Sequence, residues 1–133
     1  MIKFNSRYDA YAYRIGWFEL DNTTTNLEEG QWVKLNEQNK VVIAGDGDKG
    51  FLAIGSKRPG RDQVAGKALN QVAFLHGAFG LWTDQVEGSV EPMAPLKITT
   101  GGKLTKATLP TDAGKVVAWA LQQKEGFTQI VSA

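Results

Sequence analysis

The chain contains one histidine, His76, and three carboxylates follow it closely in the sequence: Asp84, Glu87 and Glu91. An imidazole beside a carboxyl group of raised pKa can provide general acid–base catalysis. A small hydrolase built on these residues is therefore one hypothesis. The sequence offers no serine of the nucleophile-elbow type and no second histidine to support it. A hydrogen-bonded structural histidine is the simpler interpretation.

Residues 55–60 (GSKRPG) resemble a phosphate-binding loop, since they contain two glycines and follow a predicted strand. A P-loop requires Lys and then Ser or Thr directly after its second glycine, where they contact the phosphates and Mg²⁺. Here Arg61 and Asp62 occupy those positions, and Pro59 lacks a backbone N–H that could face a phosphate. We therefore expect a solvated basic loop, or a patch that meets an acidic partner surface.

Residues 46–48 (DGD) begin like a calcium-binding loop. An EF-hand needs glycine at the sixth position of its loop and glutamate at the twelfth. Counted from Asp46, those positions hold Phe51 and Lys57. The simpler prediction is a hairpin turn, and we expect neither a metal ion nor another cofactor.

The composition narrows the class of protein further. Fifteen basic and 14 acidic side chains leave the 133-residue chain with a net charge of +1, whereas nucleic-acid binding usually shows as a basic excess. The absence of cysteine excludes thiol nucleophiles, disulfides and cysteine-bound zinc. Charges are scattered through the first twenty positions, so we expect no signal peptide. The expected protein is small, soluble and made in a cytoplasm, with no nucleic-acid or membrane partner.

Short apolar runs separated by glycine-containing turns predict a mainly-β fold. The runs are rich in β-branched and aromatic residues, and several alternate apolar with polar positions. The predicted strands are residues 31–35, 40–44, 51–54, 71–75, 96–99, 116–121 and 127–131. A short helical turn at residues 61–70 is an alternative, although Gly66 lies in the middle of this segment. We predict a single small β-barrel or sandwich over residues 27–133, preceded by residues 1–26 as an aromatic N-terminal arm or first strand.

Residues 33–44 align without gaps on residues 96–107. Each copy predicts a strand, a polar turn and a second strand, and a third apolar strand follows each copy. Two hairpins could share their turn residues by chance. The alternative is one meander used twice, closing a barrel with approximate internal symmetry. The identical pairs are Lys34 with Lys97, Lys40 with Lys103, and Ala44 with Ala107.

Aromatic residues are concentrated at the N-terminus. Six of the chain's 13 aromatics, Phe4, Tyr8, Tyr11, Tyr13, Trp17 and Phe18, lie within its first 18 positions. Tyrosine, tryptophan and arginine dominate the energetic hot spots of protein interfaces. This segment is either the first strand of the core or an arm that pairs with, or packs on, a neighbouring subunit.

From Leu27 onward, the order of strands and turns carries a resemblance to a known family. The segments concerned are 29–35 (EGQWVKL), 39–42 (NKVV), 51–55 (FLAIG), 77–79 (GAF), 95–98 (PLKI), 101–104 (GGKL), 114–118 (GKVVA) and a terminal strand ending at Val131. This series resembles the small decoration, or cement, proteins of tailed-bacteriophage capsids.

The resemblance implies a protein that binds the major capsid protein on the outer surface of the expanded head. Such proteins commonly bind as homotrimers and clamp neighbouring capsid subunits against the pressure of packaged DNA. The resemblance implies a place on the virion after synthesis in the host cytoplasm, and it needs neither catalysis nor a cofactor.

We therefore predict a structural virion protein rather than an enzyme. The predicted protein-interface residues are Tyr8, Tyr11, Tyr13, Arg14, Trp17 and Phe18 in the arm, and Lys57, Arg58 and Arg61 in the basic loop. The alternative function is a carbohydrate- or receptor-binding β-module of a tail or cell-surface protein. Its candidate aromatic residues are Trp32, Trp82 and Trp119.

Overall fold

The structure, a computed structural model, describes residues 1–3, 13–24, 27–54, 58–61, 64, 66 and 68–133. The described residues form twelve β-strands and one short 3₁₀ helix at Ala113–Lys115. The strands are β1 (Ile2–Lys3), β2 (Tyr13–Glu19), β3 (Trp32–Leu35), β4 (Val41–Ile43), β5 (Phe51–Ala53), β6 (Arg58–Arg61), β7 (Ala68–His76), β8 (Gly80–Thr83), β9 (Pro95–Thr99), β10 (Lys103–Lys106), β11 (Val116–Lys124) and β12 (Phe127–Ser132).

These strands form two six-stranded sheets in which all strand pairs are antiparallel. The first sheet has the order β1-β8-β12-β11-β9-β10. The second sheet has the order β2-β7-β5-β3-β4, and β6 also pairs with β7. The prediction of a mainly-β fold is confirmed, and the arrangement is a sandwich rather than a closed barrel.

The two sheets repeat one topology. In the second sheet β2, β3, β4, β5 and β7 occupy the same relative places as β8, β9, β10, β11 and β12 in the first. The hairpins β3–β4 and β9–β10 also have the same register. Val33 lies opposite Ile43, and Leu96, which aligns with Val33, lies opposite Lys106, which aligns with Ile43. The sequence repeat therefore corresponds to a structural repeat, in which each copy builds one sheet.

A hydrophobic core fills the space between the sheets. Along β9 and β12 buried and half-buried positions alternate, which is the pattern of a sheet with one face in the core. The buried residues of this core are Trp32, Ala44, Leu52, Leu75, Phe79, Leu81, Ala94, Leu96, Ile98, Leu104, Ala118, Ala120 and Ile130.

A second apolar cluster covers the opposite face of the second sheet. Successive residues of a strand point to opposite faces, and Val33 follows the core residue Trp32 just as Ala53 follows Leu52. The second sheet therefore buries apolar residues on both faces. The buried members of this outer cluster are Leu20, Leu27, Val33, Val41, Ala53, Val72 and Phe74.

The turn of the β9–β10 hairpin is held against β3. Gly102 accepts a 2.8 Å hydrogen bond from the backbone N–H of Trp32. Its φ is +69°, and the aligned turn residue Asn39 also has a positive φ, of +59°. A Cβ on Gly102 would lie 2.7 Å from the carbonyl oxygen of Trp32. Glycine is therefore required at 102 both by its φ and by the close approach of β3.

We expect Gly102→Ala to destabilise the fold by about 3 kcal/mol or more, because it combines a left-handed alanine with a backbone clash. Gly101→Ala is the matched control: its φ is +81°, but a Cβ there meets nothing within 4 Å. The control should cost only about 1 kcal/mol. Urea unfolding of both variants measures the difference, and equal losses would contradict a role for the contact with β3.

Two local predictions are wrong. Residues 46–48 do not close a hairpin, because β4 and β5 lie on opposite sides of β3 and do not pair with each other. The predicted basic loop contains a strand, β6, in which Arg58 lies opposite Gln71 and Arg61 lies opposite Ala68. A proline is tolerated in this strand because β6 pairs, among the described residues, on one side only.

The possible helical turn at 61–70 lies partly outside the described residues. Arg61 ends β6, and Ala68 begins β7. The ends of this segment are therefore strands.

Candidate functional site

Of the predicted aromatic arm, the structure describes residues 1–3 and 13–24, which contain β1 and β2. β1 ends the first sheet and β2 ends the second. Tyr8 and Tyr11 lie outside the described residues. Tyr13, Arg14 and Trp17 lie on β2, where the backbone is described. The chain from Lys3 to Tyr13 thus connects an edge of one sheet to an edge of the other.

Phe18 is the one predicted interface residue of the arm whose side chain the structure describes, and it contributes to the fold. Its ring stacks on Phe74 at a centroid distance of 5.1 Å, and Phe74 stacks on Phe51 at 4.6 Å. Phe74 is buried, while Phe18 and Phe51 are half-buried at the margin of the outer cluster. A partner could therefore contact only the part of the Phe18 ring that remains exposed.

The structure places β2, the described strand of the arm, and β6, the strand of the basic segment, in the same sheet. β2 pairs with one edge of β7, and β6 pairs with the other. Gln71 on β7 lies opposite Glu19 on one side and Arg58 on the other. The backbone of Arg58 and Arg61 is described, whereas Lys57 lies outside the described residues. The two predicted interface groups are thus one strand apart.

Asp84 and Glu91, two of the candidate catalytic carboxylates, accept hydrogen bonds from basic groups of the fold. Burial would raise the pKa of Asp84, but hydrogen bonds from the amino group of Met1, at 2.8 Å, and from Gln85 outweigh it and leave the pKa lowered. A hydrogen bond from Lys106 lowers the pKa of Glu91. The hydrolase hypothesis requires a carboxyl group of raised pKa, whereas the pKa of both Asp84 and Glu91 is lowered.

The other two members of that hypothetical site, His76 and Glu87, lie beside different sheets. His76 ends β7 opposite Tyr13, and its side chain is not described. Glu87 is exposed, and its backbone N–H donates to the carbonyl of Leu104 at the edge of β10. Among the described residues, no group of three or more metal-ligating side chains could hold a metal ion.

The three tryptophans proposed for carbohydrate binding differ in exposure. Trp32 is only 3% exposed and packs in the core between the sheets, so its assignment as a surface platform is wrong. The reason is its place on β3, which turns the indole toward the first sheet. Trp82 and Trp119 are half-buried.

A cleft of about 210 Å³ opens beside Trp32. Phe51, Leu75 and Phe79 give it an apolar lining, and Lys49 supplies a cation. The indole N–H of Trp32 is buried and has no hydrogen-bond partner among the described residues. The cleft has room for a small apolar group.

Sequence reasoning missed a group of ion pairs at the turn formed by residues 46–48. Lys34 lies 2.8 Å from Asp48, and Lys97 lies 3.6 Å from Asp46. These lysines are aligned in the sequence repeat, so one turn pairs with the same position of both copies. Asp48 also accepts the backbone N–H of Gly45, and its pKa is lowered by the bonds from Lys34 and Gly45.

Asp112 extends this group. Its carboxylate accepts the backbone N–H of Thr108 at 2.8 Å and lies 3.6 Å from Lys97 and 3.7 Å from Lys115. The hydrogen bond from Thr108 lowers the pKa of Asp112, burial opposes that effect, and the two lysines lower the pKa further. This carboxylate secures the segment between β10 and β11.

The lowered pKa of Asp112 predicts a specific pH dependence. A carboxylate whose folded pKa lies below its ordinary value of 3.8 stabilises the fold above pH 3.8. That stability is lost as the pH falls through the lowered pKa. Asp112→Asn should therefore lower the melting temperature at pH 7 and reduce its fall under acid. Thermal melts between pH 7 and pH 2 measure this, with the exposed Glu37→Gln as control; parallel curves for Asp112→Asn and the parent would contradict it.

No helix in the described part of the chain is long and apolar enough to cross a membrane. No family model matches the sequence, and neither a curated protein nor a solved structure matches the chain.

Proposed function

We propose that this protein is a structural virion protein that decorates the outer surface of an expanded tailed-phage capsid. The observation that supports the proposal is that β2 and β6, two strands that carry predicted interface residues, both pair with β7. The aromatic arm leads into β2, and Arg58 and Arg61 lie one strand away across β7. The order of strands and turns that resembles capsid cement proteins supports the same proposal.

The physical requirement for such a protein is modest. A ligand that binds only the assembled lattice stabilises that lattice by mass action. A sandwich whose two sheets share one core is a firm body between two capsid subunits, and aromatic residues with arginine provide the contacts that usually dominate binding. The major capsid protein is the proposed partner.

The decisive experiment is co-sedimentation of the purified protein with expanded, undecorated heads of its phage. Unexpanded proheads are the control, because decoration sites should form only on expansion. We expect saturable binding to the expanded heads alone, and the copies bound per capsid subunit give the number of sites. Absence of binding to expanded heads, or equal binding to both particles, would overturn the proposal.

The contribution of the arm can be tested separately. We expect the double variant Tyr8→Ala/Tyr11→Ala to weaken binding to expanded heads by about tenfold or more, because interface tyrosines commonly contribute above 1 kcal/mol each. Met93→Ala is the matched control, since Met93 is 65% exposed in a turn distant in sequence from the arm. Unchanged affinity of the tyrosine variant would exclude the arm as a capsid contact and leave the co-sedimentation result standing.

A further inference from the structure

The cleft beside Trp32 opens between the two sheets at one end of the sandwich. Phe51 begins β5 and Val116 begins β11, the equivalent strand of the first sheet, and both residues line the cleft. Leu75, next to the last residue of β7, and Ser132, the last residue of β12, line it as well. Equivalent ends of both sheets therefore surround one opening of about 210 Å³.

The inner part of this cleft reaches the hydrophobic core. Trp32, Leu75 and Phe79 are buried members of the core between the sheets, and each of them also lines the cleft. Protein interiors are close-packed and contain few voids larger than a water molecule. Small-molecule sites are typically concave and apolar, with a small number of polar groups that orient the ligand. An opening of this size against the core has the character of such a site.

The size and the lining of the cleft favour a single aromatic ring. An apolar cavity of roughly 150 Å³ can hold one benzene ring, so a cleft of about 210 Å³ has room for a ring with a small substituent. The described lining includes the aromatic side chains of Trp32, Phe51 and Phe79. The rings of Trp32 and Phe79 lie 6.3 Å apart at an angle of 42°. Tilted aromatic rings at this separation attract each other, so an aromatic ligand would extend an existing cluster.

The indole of Trp32 indicates which polar group the ligand would carry. Its N–H is buried and has no hydrogen-bond partner among the described residues. Backbone hydrogen bonds to Gly102 and from Ala44 hold Trp32 in its place on β3. A buried donor without an acceptor has lost its hydration without compensation. A ligand oxygen that accepts this N–H would remove that penalty.

The charges around the cleft favour a neutral ligand. The buried residues of its described lining are uncharged. Lys49 is exposed, and its ammonium group donates to the carbonyl of Val116 at 3.4 Å. A charged group placed against the core would lose its hydration without gaining an opposite charge.

We propose that this cleft binds a small neutral aromatic molecule with one carbonyl oxygen, which accepts the indole N–H of Trp32 while the ring packs against Phe51 and Phe79. The proposal does not depend on the capsid function, because the described lining of the cleft comes from a single chain.

Titration of the ¹⁵N-labelled full-length protein with acetophenone, a single ring with one carbonyl group, tests the ligand class by NMR. We expect saturable shifts of the backbone amides that line the cleft. The indole N–H proton of Trp32 should move downfield, because it enters a hydrogen bond. Ethylbenzene, which has the ring but no acceptor, is the matched ligand. It should shift the same backbone amides without the downfield movement of the indole proton.

A pair of valine variants tests the place of binding. Val117 is half-buried, packs against the core and lines the cleft. Val117→Phe should weaken acetophenone binding about tenfold or more, because the larger side chain occupies the space of the ligand. Val131→Phe is the matched control, since Val131 is also half-buried but follows the core residue Ile130 and points to the opposite face of β12. Its affinity should equal that of the parent, and circular dichroism verifies the fold of both variants.

Absence of saturable acetophenone binding to the parent protein would overturn the proposal. So would an indole signal of Trp32 that does not move on binding, or equal losses of affinity in the two valine variants. If the cleft instead takes an apolar side chain of a protein partner, Val117→Phe would weaken binding to expanded heads, and acetophenone would leave the parent spectrum unchanged. That result would also overturn the proposal, and the co-sedimentation of the parent protein with heads would stand.

Discussion

Each sheet of this protein depends on the other to bury an apolar face, and that mutual dependence sets the rest of the structure. Gly102, in the β9–β10 turn, has no side chain, but its carbonyl accepts the backbone N–H of Trp32 from the opposite sheet. Lys34 and Lys97, which are aligned in the repeat, both pair with the turn at residues 46–48. Backbone bonds and ion pairs therefore fix the two copies around the same core that their apolar faces create.

The two sheets differ in how far their outer faces are buried. β9 alternates buried and half-buried residues, whereas β3 buries Trp32 and Val33 in succession. The outer face of the second sheet is covered by Leu20, Leu27 and other residues of the outer cluster. The end of β2 and the residue that follows it are thus integrated with that sheet through Phe18 and Leu20.

The sequence predicts most strands because short apolar runs between turn residues are local signals. It does not predict β6, since the arginines and the proline of that segment are typical of a loop, and only pairing with β7 makes it a strand. The turn at 46–48 is mistaken for a hairpin for a related reason: which strand lies between β4 and β5 is a property of the sheet. The exposure of Trp32 likewise depends on the sheet that covers it, and periodicity alone does not show whether a face is covered.

Charge explains why the candidate catalytic carboxylates Asp84 and Glu91 are engaged within the fold. Asp84, Glu91 and Asp112 are near basic groups that lower the pKa of each, so these carboxylates act as structural anions. A partner that approached these carboxylates would have to compete with the groups that already bind them within the fold.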